Sequence, residues 1–408
     1  MTDPSALLSA AAVRDASGRM LRLGLDGRLE HWRVDLDRLP AAADRVAAVV
    51  REQYPTLDVP FHARWRHFSV GGRDLWAELC ARTTWPDAAA KARAAFDLAI
   101  TSVLLDAGAG PDWRYRDAGT SETLTRSEGL GIASFRLFEA GAFSDDPADP
   151  LRADGAALAR LSAADLEAGF QVGADNPLLG LEGRAALLRR LGERVQSRPG
   201  ELFDLNDTPR PGGLFDILAK WAGGGPLPAP VILETLLIAL GPVWENRPVL
   251  DGVALGDCWP HPAFGSPDDA QGYAPLHKLS QWLSYSLVEP LQDAGVTVTD
   301  LDGLTGLAEY RNGGLFVDAG VLSLRDPADA ERTWDVSHPL VVGWRSLTVA
   351  LLDEIAPLVR ERLGVTAEQF PLARVLEGGT WAAGRRIARE RREGGGPPLK
   401  IVSDGTVF

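Results

Sequence analysis

Apolar residues recur at helical spacing along most of the chain. Between residues 181 and 195, leucine, alanine and valine return every three or four positions, with arginines between them. Such a stripe is typical of a helix with one buried face. The Ala-rich residues 87–105 have high helix propensity and predict a second helix. Residues 346–363 predict a third helix, which Pro357 should kink or interrupt.

A further helix is predicted in the segment PLHKLSQWLSYSLVEPL. Pro275 suits the first position of a helix, where its missing N–H is not needed, and Pro290 should end the helix. Strand patterns are few and short, namely HWRVDL, DWRYRD and the late KIV. The pattern therefore predicts a mainly α, compact helical protein with a few short β-strands.

Pro- and Gly-rich stretches mark loops at residues 197–213, 223–230 and 259–275. None of them is a long Ser/Gly or charged linker, and no internal repeat is visible. We therefore expect one continuous domain, in which an N-terminal helical segment (residues 1–86) joins a helical catalytic region (residues 87–408). Two helical lobes are the alternative.

The composition is that of an ordinary globular protein. Of 408 residues, 45% are hydrophobic and 24% charged, which excludes a disordered chain or a coiled coil. With 42 Lys and Arg against 56 Asp and Glu, the formal net charge is −14, which argues against a protein that grips long nucleic acid. The N-terminus lacks the basic region of a signal peptide. The most apolar stretch, residues 230–244, is shorter than the about 20 residues of a membrane span. We expect a soluble, cytoplasmic protein with no membrane partner.

Metal and cofactor signatures are absent from the sequence. There is no HExxH, Walker A, paired CxxC or full dinucleotide fingerprint. Cys258 and His261 have half of a zinc spacing, without a second half. Asp204, Asn206 and Asp207 in FDLNDT could hold a hard cation, although a solvated capping loop is the more frequent use of such residues. We expect no metal and no cofactor.

A block of basic and aromatic residues, FHARWRHF at 61–68, stands out in this acidic chain. His62, Arg64, Arg66 and His67 surround a tryptophan in it. Two guanidiniums offer a bidentate grip on a phosphate or carboxylate, and the imidazoles add donors. These four residues are candidate substrate ligands. The alternative is an extended edge segment whose arginines pair with acidic residues of the protein.

The segment PLHKLSQ places His277 and Lys278 in the first turn of a predicted helix. A cation at this end opposes the helix macrodipole. An unfavourably placed cation of this kind is found either on a solvated surface or in a functional site, and the surface is the more frequent case.

The segment LTGLAEYRNGGLF sets four polar residues between two apolar runs: Glu309, Tyr310, Arg311 and Asn312. Charges in such a place are costly unless they are paired or used. Gly313-Gly314 then allows a close backbone approach. A substrate site and a structural salt bridge are equally good interpretations.

The segment LEGGTWAAGRR combines Glu377, a Gly-Gly pair, Trp381 and Arg385. Helix N-terminal amides behind Gly378-Gly379 could receive an anion, and Trp381 could stack on a planar ligand. The alternative is a helix start with a buried tryptophan and a solvated basic face.

The segments EYRNGGLF, EGGTWAAGR and SDGTVF, with FHARWRHF, resemble the uracil catabolism protein four family of fungi and bacteria. The resemblance covers essentially the whole chain. The family belongs to the pathway that degrades uracil through a ribosylurea intermediate. The resemblance therefore implies a step that consumes ribosylurea or its phosphate.

Beyond its N-terminal segment, the chain is more remotely similar to the queuosine salvage N-glycosylases, whose helical fold looks like that of DNA glycosylases. LHKLSQWLSYSL is similar to their lysine-bearing helix, which places Lys278 on the active-site lysine. LAEYR is similar to their Ala-Asp-Tyr-Arg signature, which places Glu309 on the catalytic acid, with Glu in place of Asp. LEGGTWAAGR aligns with their Leu-Asp…Trp segment and supports Glu377 and Trp381, while their second acid falls on Ala382.

Both resemblances imply cleavage of the N-glycosidic bond at C1 of ribose by an N-ribosyl hydrolase. The oxocarbenium-like transition state needs a carboxylate, a positioned water and a proton for the leaving nitrogen. We expect Glu309 to be the carboxylate, Lys278 its charge partner or proton donor, and Arg311 the residue that orients them. Glu377 is the next carboxylate candidate.

The expected partner is a small ribosyl ureide, with or without a 5′-phosphate, and the expected assembly is a monomer or small homo-oligomer. Arg64, Arg66 or Arg385 would bind a phosphate. Two other classes stay open. One is an amidohydrolase acting on the ureide, which the missing metal ligands disfavour. The other is a non-catalytic helical module that binds a nucleotide or a protein. A nucleic-acid glycosylase is disfavoured by the charge.

Overall fold

Helices dominate the computed structural model, which describes residues 3–197, 203 and 208–402. The α-helices are α1 Ala10–Leu25, α2 Leu39–Gln53, α3 Leu75–Arg82, α4 Ala88–Leu104, α5 Arg126–Glu139, α6 Gly155–Arg160, α7 Ala163–Gly169, α8 Leu181–Ser197, α9 Gly213–Ala222, α10 Ala229–Leu240, α11 Lys278–Asp293, α12 Tyr310–Asp318, α13 Pro339–Leu363, α14 Leu372–Val375 and α15 Trp381–Arg391. A π-helical segment, Leu376–Thr380, joins α14 to α15. Short 3₁₀ helices cover Pro4–Leu7, Leu36–Arg38, Arg64–Phe68, Gly241–Val243, Pro262–Phe264, Ala270–Gly272, Leu301–Gly303, Pro327–Ala330 and Glu393–Gly395. The prediction of a mainly α protein is confirmed.

The strands are two or three residues long and pair only in twos within the described residues. They are β1 Trp32–Val34, β2 Ser69–Val70, β3 Arg73–Asp74, β4 Tyr115–Arg116, β5 Thr123–Leu124, β6 Leu227–Pro228, β7 Val249–Leu250, β8 Val253–Ala254, β9 Cys258–Pro260, β10 Tyr273–Pro275, β11 Val298–Thr299, β12 Leu322–Leu324, β13 Thr333–Trp334 and β14 Lys400–Ile401. The pairs β1–β12, β2–β3, β4–β5, β7–β8 and β9–β10 are antiparallel, whereas β6–β11 and β13–β14 are parallel. The three predicted strand segments contain β1, β4 and β14.

The described chain divides into two compact units. The first comprises residues 3–62, 246–281 and 300–402, and the second comprises residues 63–245 and 282–299. The sequence-based division between residues 86 and 87 stays a prediction, and both sides of it belong to the second unit.

In the first unit, α1 and α2 pack against α13, and α12 packs against α15. Helix α13 is buried along most of its length, as the mostly apolar sequence between Pro339 and Leu352 demands. Pro357 does not interrupt it, because the helix runs on to Leu363.

In the second unit, α4 is the buried helix, and it packs against α5, α8 and α9. It begins as predicted, because the Asp87 side chain accepts a hydrogen bond from the backbone N–H of Ala90 at 2.7 Å. Its residues from Phe96 to Leu104 are all buried. Helix α8, also predicted, packs against α6 and α7.

Both prolines of the predicted LHKLSQ helix behave differently from the expectation. Pro275 lies in β10 and not in the helix, which begins at Lys278. Pro290 lies inside α11, which continues to Asp293. A proline at this position leaves the carbonyl of Ser286 without its helical donor. The indole Nε1 of Trp65 donates to that carbonyl at 2.6 Å, so the free acceptor is satisfied and the helix continues.

Among the described residues, no helix combines the length and the apolar composition that crossing a membrane requires.

Candidate functional site

One helical run in the first unit, formed by α14, the π-helical segment and α15, carries a row of one acidic, one aromatic and two basic side chains. Glu377, Trp381, Arg385 and Arg389 follow each other every four residues, and all four line one cleft. The cleft has a volume of about 470 Å³, and Gln53 and Tyr54 at the end of α2 line it too. We call it the Glu377 cleft. A π-helical turn is frequently found at a functional site.

The glycines behind Glu377 do not form the turn that the sequence suggested. Gly378 and Gly379 lie inside the continuous helical run, so no helix N-terminus with unpaired amides is available there for an anion. Their role is close packing. A Cβ on Gly378 would lie 2.9 Å from a methyl of Val59, and one on Gly379 would lie 2.8 Å from a methyl of Val46. The predicted anion site at these amides is therefore wrong.

His62 positions the carboxylate of Glu377. Its Nδ1 lies 2.6 Å from Oε2 of Glu377, and the two side chains are 7% and 15% exposed. The backbone N–H of His62 donates to the carbonyl of Ala373 in α14, which fixes the imidazole beside the helical run. Because Nδ1 donates to the carboxylate, a neutral His62 has its lone pair on Nε2. The pair thus joins an acid to a base that orients it.

Guanidiniums lie near the indole of Trp381. The guanidinium carbon of Arg311 is 4.2 Å from the ring centroid, and that of Arg385 is 5.5 Å away. Nε of Arg311 also donates to the hydroxyl of Tyr310 at 3.2 Å. These contacts are cation–π interactions. The structure therefore brings Tyr310 and Arg311 together with the cleft, through Trp381.

Glu309 begins helix α12. Its carboxylate accepts hydrogen bonds from the backbone N–H of Arg311, at 2.8 Å, and of Asn312, so it is the N-cap of the helix. It is 9% exposed. Asn312 is fully buried, and its Oδ1 has no hydrogen-bond partner among the described residues. The close approach predicted for the next residue is confirmed, because a Cβ on Gly313 would lie 2.8 Å from Nε1 of Trp344.

Lys278 begins helix α11, as predicted, and a buried ion pair connects this helix start to the segment before Glu309. The backbone N–H of Lys278 donates to Oδ2 of Asp257 at 3.0 Å. Arg345, fully buried in α13, donates to both oxygens of Asp257 at 2.8 and 2.7 Å and to the carbonyl of Ala308 at 3.2 Å. We call these contacts the Arg345 network. Burial alone would raise the pKa of Asp257, but the charge and hydrogen bonds of Arg345 hold that pKa far below its usual range.

A second pair of hydrogen bonds, between Gln281 and Thr305, also connects α11 to the segment before Glu309. The side-chain amide of Gln281, one turn into α11, donates to Oγ1 of Thr305 at 2.8 Å and accepts from the backbone N–H of Thr305 at 3.3 Å. Asp257, Arg345 and the hydrogen bonds between Gln281 and Thr305 were not predicted from the sequence. The available signal was Arg345 itself, which is the one charged residue between Pro339 and Leu352 in α13 and so requires a buried partner.

His277 lies in the interior of the first unit. It is buried with a backbone φ of 46°, and its Nε2 lies 2.9 Å from the carbonyl oxygen of Leu7, to which it donates. Burial lowers the pKa of His277, so the ring is held neutral. It does not line the Glu377 cleft. Its predicted contact with substrate stays a prediction.

The other members of the FHARWRHF block belong to the second unit, where they have contacts of their own. Arg64 is fully buried, with Nη1 3.0 Å from Oδ2 of Asp106. Nη2 of Arg66 donates to both oxygens of Glu289 at 2.8 Å. His67 packs its ring against Trp282. Arg64–Phe68 of the block form a 3₁₀ helix rather than an extended edge segment. The pairing with carboxylates corresponds to the alternative interpretation, because a buried guanidinium needs a counter-charge.

The described residues contain no group of three or more His, Cys, Asp or Glu that could hold a metal ion. The candidate cation ligands Asp204, Asn206 and Asp207 lie outside the described residues. His261, half of the zinc spacing, has other contacts: Nδ1 accepts from the backbone N–H of Ala263 and Nε2 donates to the carbonyl of Pro339, both at 3.2 Å.

The fold and the cleft define a mainly α protein in which one helical face presents a carboxylate, an indole and guanidiniums. The family model DUF1688, described as a protein of unknown function, matches residues 6–408, and the chain belongs to this family. It is 40% identical over 418 residues to "Protein urg3" of Schizosaccharomyces pombe (strain 972 / ATCC 24843), with 98% of each chain covered. It is 35% identical over 415 residues to "Uracil catabolism protein 4" of Lachancea kluyveri, with 94% of this chain and 93% of the relative covered. The resemblance to the uracil catabolism protein four family is confirmed. The remote likeness to queuosine salvage glycosylases stays a prediction.

Proposed function

We propose that this protein acts in uracil catabolism as an N-ribosyl hydrolase, which cleaves ribosylurea or its 5′-phosphate to urea and ribose or ribose phosphate. The name of the Lachancea kluyveri relative supports the pathway. The observation that carries the reaction type is the carboxylate of Glu377, which lines a cleft beside Trp381 and is held by His62 at 2.6 Å. An acid fixed beside a sugar-sized cleft suits the stabilisation of an oxocarbenium-like transition state.

In the proposed reaction, the bond between C1 of ribose and the urea nitrogen breaks, and its electron pair stays on the nitrogen. Water adds its oxygen to C1, and one of its protons ends on the leaving nitrogen. The products are urea and ribose or ribose 5-phosphate, which carries the new hydroxyl at C1. The Glu377 carboxylate stabilises positive charge at C1 or takes the proton of the attacking water. His62 orients Glu377 through the 2.6 Å hydrogen bond.

Glu309 and Lys278 were the first candidates from the sequence, and in the proposal they come second. The carboxylate of Glu309 accepts two backbone hydrogen bonds at the start of α12, which engages both oxygens. Lys278 contributes its backbone N–H to the Arg345 network. Arg311 connects the two regions, because it follows Glu309 closely and its guanidinium lies over Trp381.

The decisive experiment incubates the purified protein with ribosylurea, with and without a 5′-phosphate, and follows urea and the sugar by NMR. Release of urea and an intact sugar supports the proposal. Release of ammonia without free sugar would instead indicate an amidohydrolase. Binding without turnover of either compound would indicate a non-catalytic binding module.

A Glu377→Gln variant then assigns the chemistry. The amide keeps the size of the side chain but removes its charge, so kcat should fall by about 100-fold or more, the scale of removing one preorganised electrostatic group. Near-normal turnover by a folded Glu377→Gln protein would shift the assignment to Glu309.

A further inference from the structure

The row of side chains in the Glu377 cleft has a direction. Glu377 lies at one end, Trp381 follows, and Arg385 and Arg389 lie at the other end, each four residues after the last. Residues four apart occupy the same face of a helix. The face therefore presents a carboxylate, then a flat apolar ring, then two guanidiniums in succession.

The row is long enough for one sugar phosphate to lie along it. With a rise of about 1.5 Å per residue, Glu377 and Arg385 are roughly 12 Å apart along the helix axis. Helical side chains lean towards the helix N-terminus, so the guanidinium of Arg385 leans back towards the acid. Its 5.5 Å distance from the ring centroid of Trp381 agrees with that direction.

The charges of the cleft favour an anion at the arginine end. Both carboxylates that line the cleft are bound to bases outside the row: Glu377 to His62, and Glu390 to Arg45 at 2.8 Å. Arg385 and Arg389 are like charges at i and i+4, so an anion bound between their guanidiniums would offset the repulsion between them. Two guanidiniums four residues apart can donate several hydrogen bonds to one tetrahedral oxyanion. Because the protein as a whole has a formal net charge of −14, binding of an anionic substrate requires a local concentration of positive charge.

We propose that Arg385 and Arg389 form a subsite for the phosphate of a phosphorylated ribosyl substrate, with the sugar over Trp381 and its C1 at Glu377. This inference rests on the proposed function and narrows its substrate class to the phosphorylated ureide. It transfers the predicted phosphate contact from Arg64 and Arg66 to the helical row.

The test measures binding and turnover separately. Binding of inorganic phosphate, ribose 5-phosphate and ribose is measured by calorimetry for the unmodified protein and for Arg385→Met, Arg385→Lys and Arg389→Met. Arg391→Met is the matched control, because Arg391 is an exposed arginine of the same helix that does not line the cleft and contacts the carbonyl of Asp318. Thermal unfolding of every variant shows that it is folded. Turnover of ribosylurea and of its 5′-phosphate is then compared.

Ribose 5-phosphate should bind at least about 10-fold more tightly than ribose, and Arg385→Met should weaken its binding by about 10- to 100-fold, the range of one charge-assisted hydrogen bond. Arg385→Lys should lose less, and Arg391→Met should bind like the unmodified protein. Arg385→Met should also lower kcat/KM for the phosphorylated substrate by about 10-fold more than for ribosylurea.

Equal binding of ribose and ribose 5-phosphate, or equal losses for Arg385→Met and Arg391→Met, would overturn the subsite even if ribosylurea is hydrolysed. Conversely, phosphate-dependent binding that is lost in Arg385→Met, without turnover of either ureide, would support the subsite and refute the hydrolase. The two failures are therefore distinguishable.

Discussion

Glu309 and Glu377 are two acids of the same unit in different helical positions, and the position decides what each carboxylate can do. Glu309 precedes the first turn of α12, where the backbone amides have no helical acceptor, so its oxygens accept from Arg311 and Asn312. Glu377 lies inside a continuous helical run. There its hydrogen-bond partner is the side chain of His62. A carboxylate at a helix start accepts hydrogen bonds from the free backbone amides there. A carboxylate in a helix interior has no such amides beside it and remains available to a cleft.

The surroundings of the two acids differ as well: those of Glu309 are buried, and those of Glu377 are open to a cleft. The segment before Glu309 is fixed by the buried pair of Arg345 and Asp257. The Glu377 cleft is lined by exposed or half-buried guanidiniums and an indole. The regions adjoin, because a Cβ on Gly384 in α15 would overlap the carbonyl oxygen of Arg311 in α12. We therefore expect changes near Glu309 to act on stability and changes in the cleft to act on activity.

The largest effect is expected from Arg345→Met. The substitution leaves the carboxylate of Asp257 buried without its counter-charge, which costs about 3–5 kcal/mol of unfolding free energy. Denaturant unfolding followed by circular dichroism measures the loss. Arg345→Lys, which keeps one charge but not the bidentate geometry, is the control and should lose less. A loss within 0.5 kcal/mol for the Met variant would show that the Arg345 network does not support this region.

Glu377→Gln should have the largest effect on activity. We expect kcat to fall by about 100-fold or more with little change in the midpoint of thermal unfolding, because the amide still fits beside His62. Steady-state kinetics on the ureide substrate and a thermal melt measure the two quantities. Glu354→Gln, an exposed acid on α13, is the matched control. A clearly lower midpoint of thermal unfolding in Glu377→Gln would show that Glu377, like Glu309, supports the fold.

Acid pH should destabilise the fold through His261, which follows β9 and lies four residues after Asp257. Burial lowers the pKa of His261 to about 4, and its Nδ1 already accepts from the amide of Ala263, so a proton there would face a donor. The unfolded histidine has a pKa of about 6.5. Since the unfolded state binds the proton more tightly, stability is complete above about pH 6.5 and falls by about 3 kcal/mol as the pH falls to 4.

Unfolding measured between pH 7 and 4, for the unmodified protein and for His261→Asn, tests this linkage. Asparagine can accept from Ala263 without titrating, so the variant should lose much of the slope. An unchanged slope in His261→Asn would assign the acid sensitivity to another group.

The smallest effect is expected at Glu309, and it separates a capping acid from a catalytic one. Glu309→Ala should cost about 0.5–2 kcal/mol of stability, because two amides at the start of α12 lose their acceptor. Glu309→Ser, which also caps helices well, should restore most of that loss. If Glu309 is only a cap, the Ser variant should have nearly normal kcat. A stable Glu309→Ser protein with at least 100-fold lower kcat would reverse the comparison with Glu377.

What the sequence determined by itself is local. An apolar stripe predicted α8 and high helix propensity predicted α4, because both signals depend on residues within a few turns of each other. Lys278 at a helix start and Glu309 between apolar runs were likewise visible from their neighbours. Belonging to the family was visible from short segments such as EYRNGGLF and EGGTWAAGR.

The tertiary structure decided whatever depends on partners distant in the chain. Pro290 lies inside a helix whose missing donor is replaced by Trp65, which is 221 residues from the Ser286 carbonyl that it contacts. Gly378 and Gly379 lie inside a helical run, where the side chains of Val59 and Val46 occupy the space that Cβ atoms would need. Asp257 and Arg345 are 88 residues apart, and His62 and Glu377 are 315 apart. The local sequence indicates which residues are costly to bury or able to react. Only the packed chain brings each charged residue its counter-charge. That partner decides whether the charge supports the fold or remains available to a cleft.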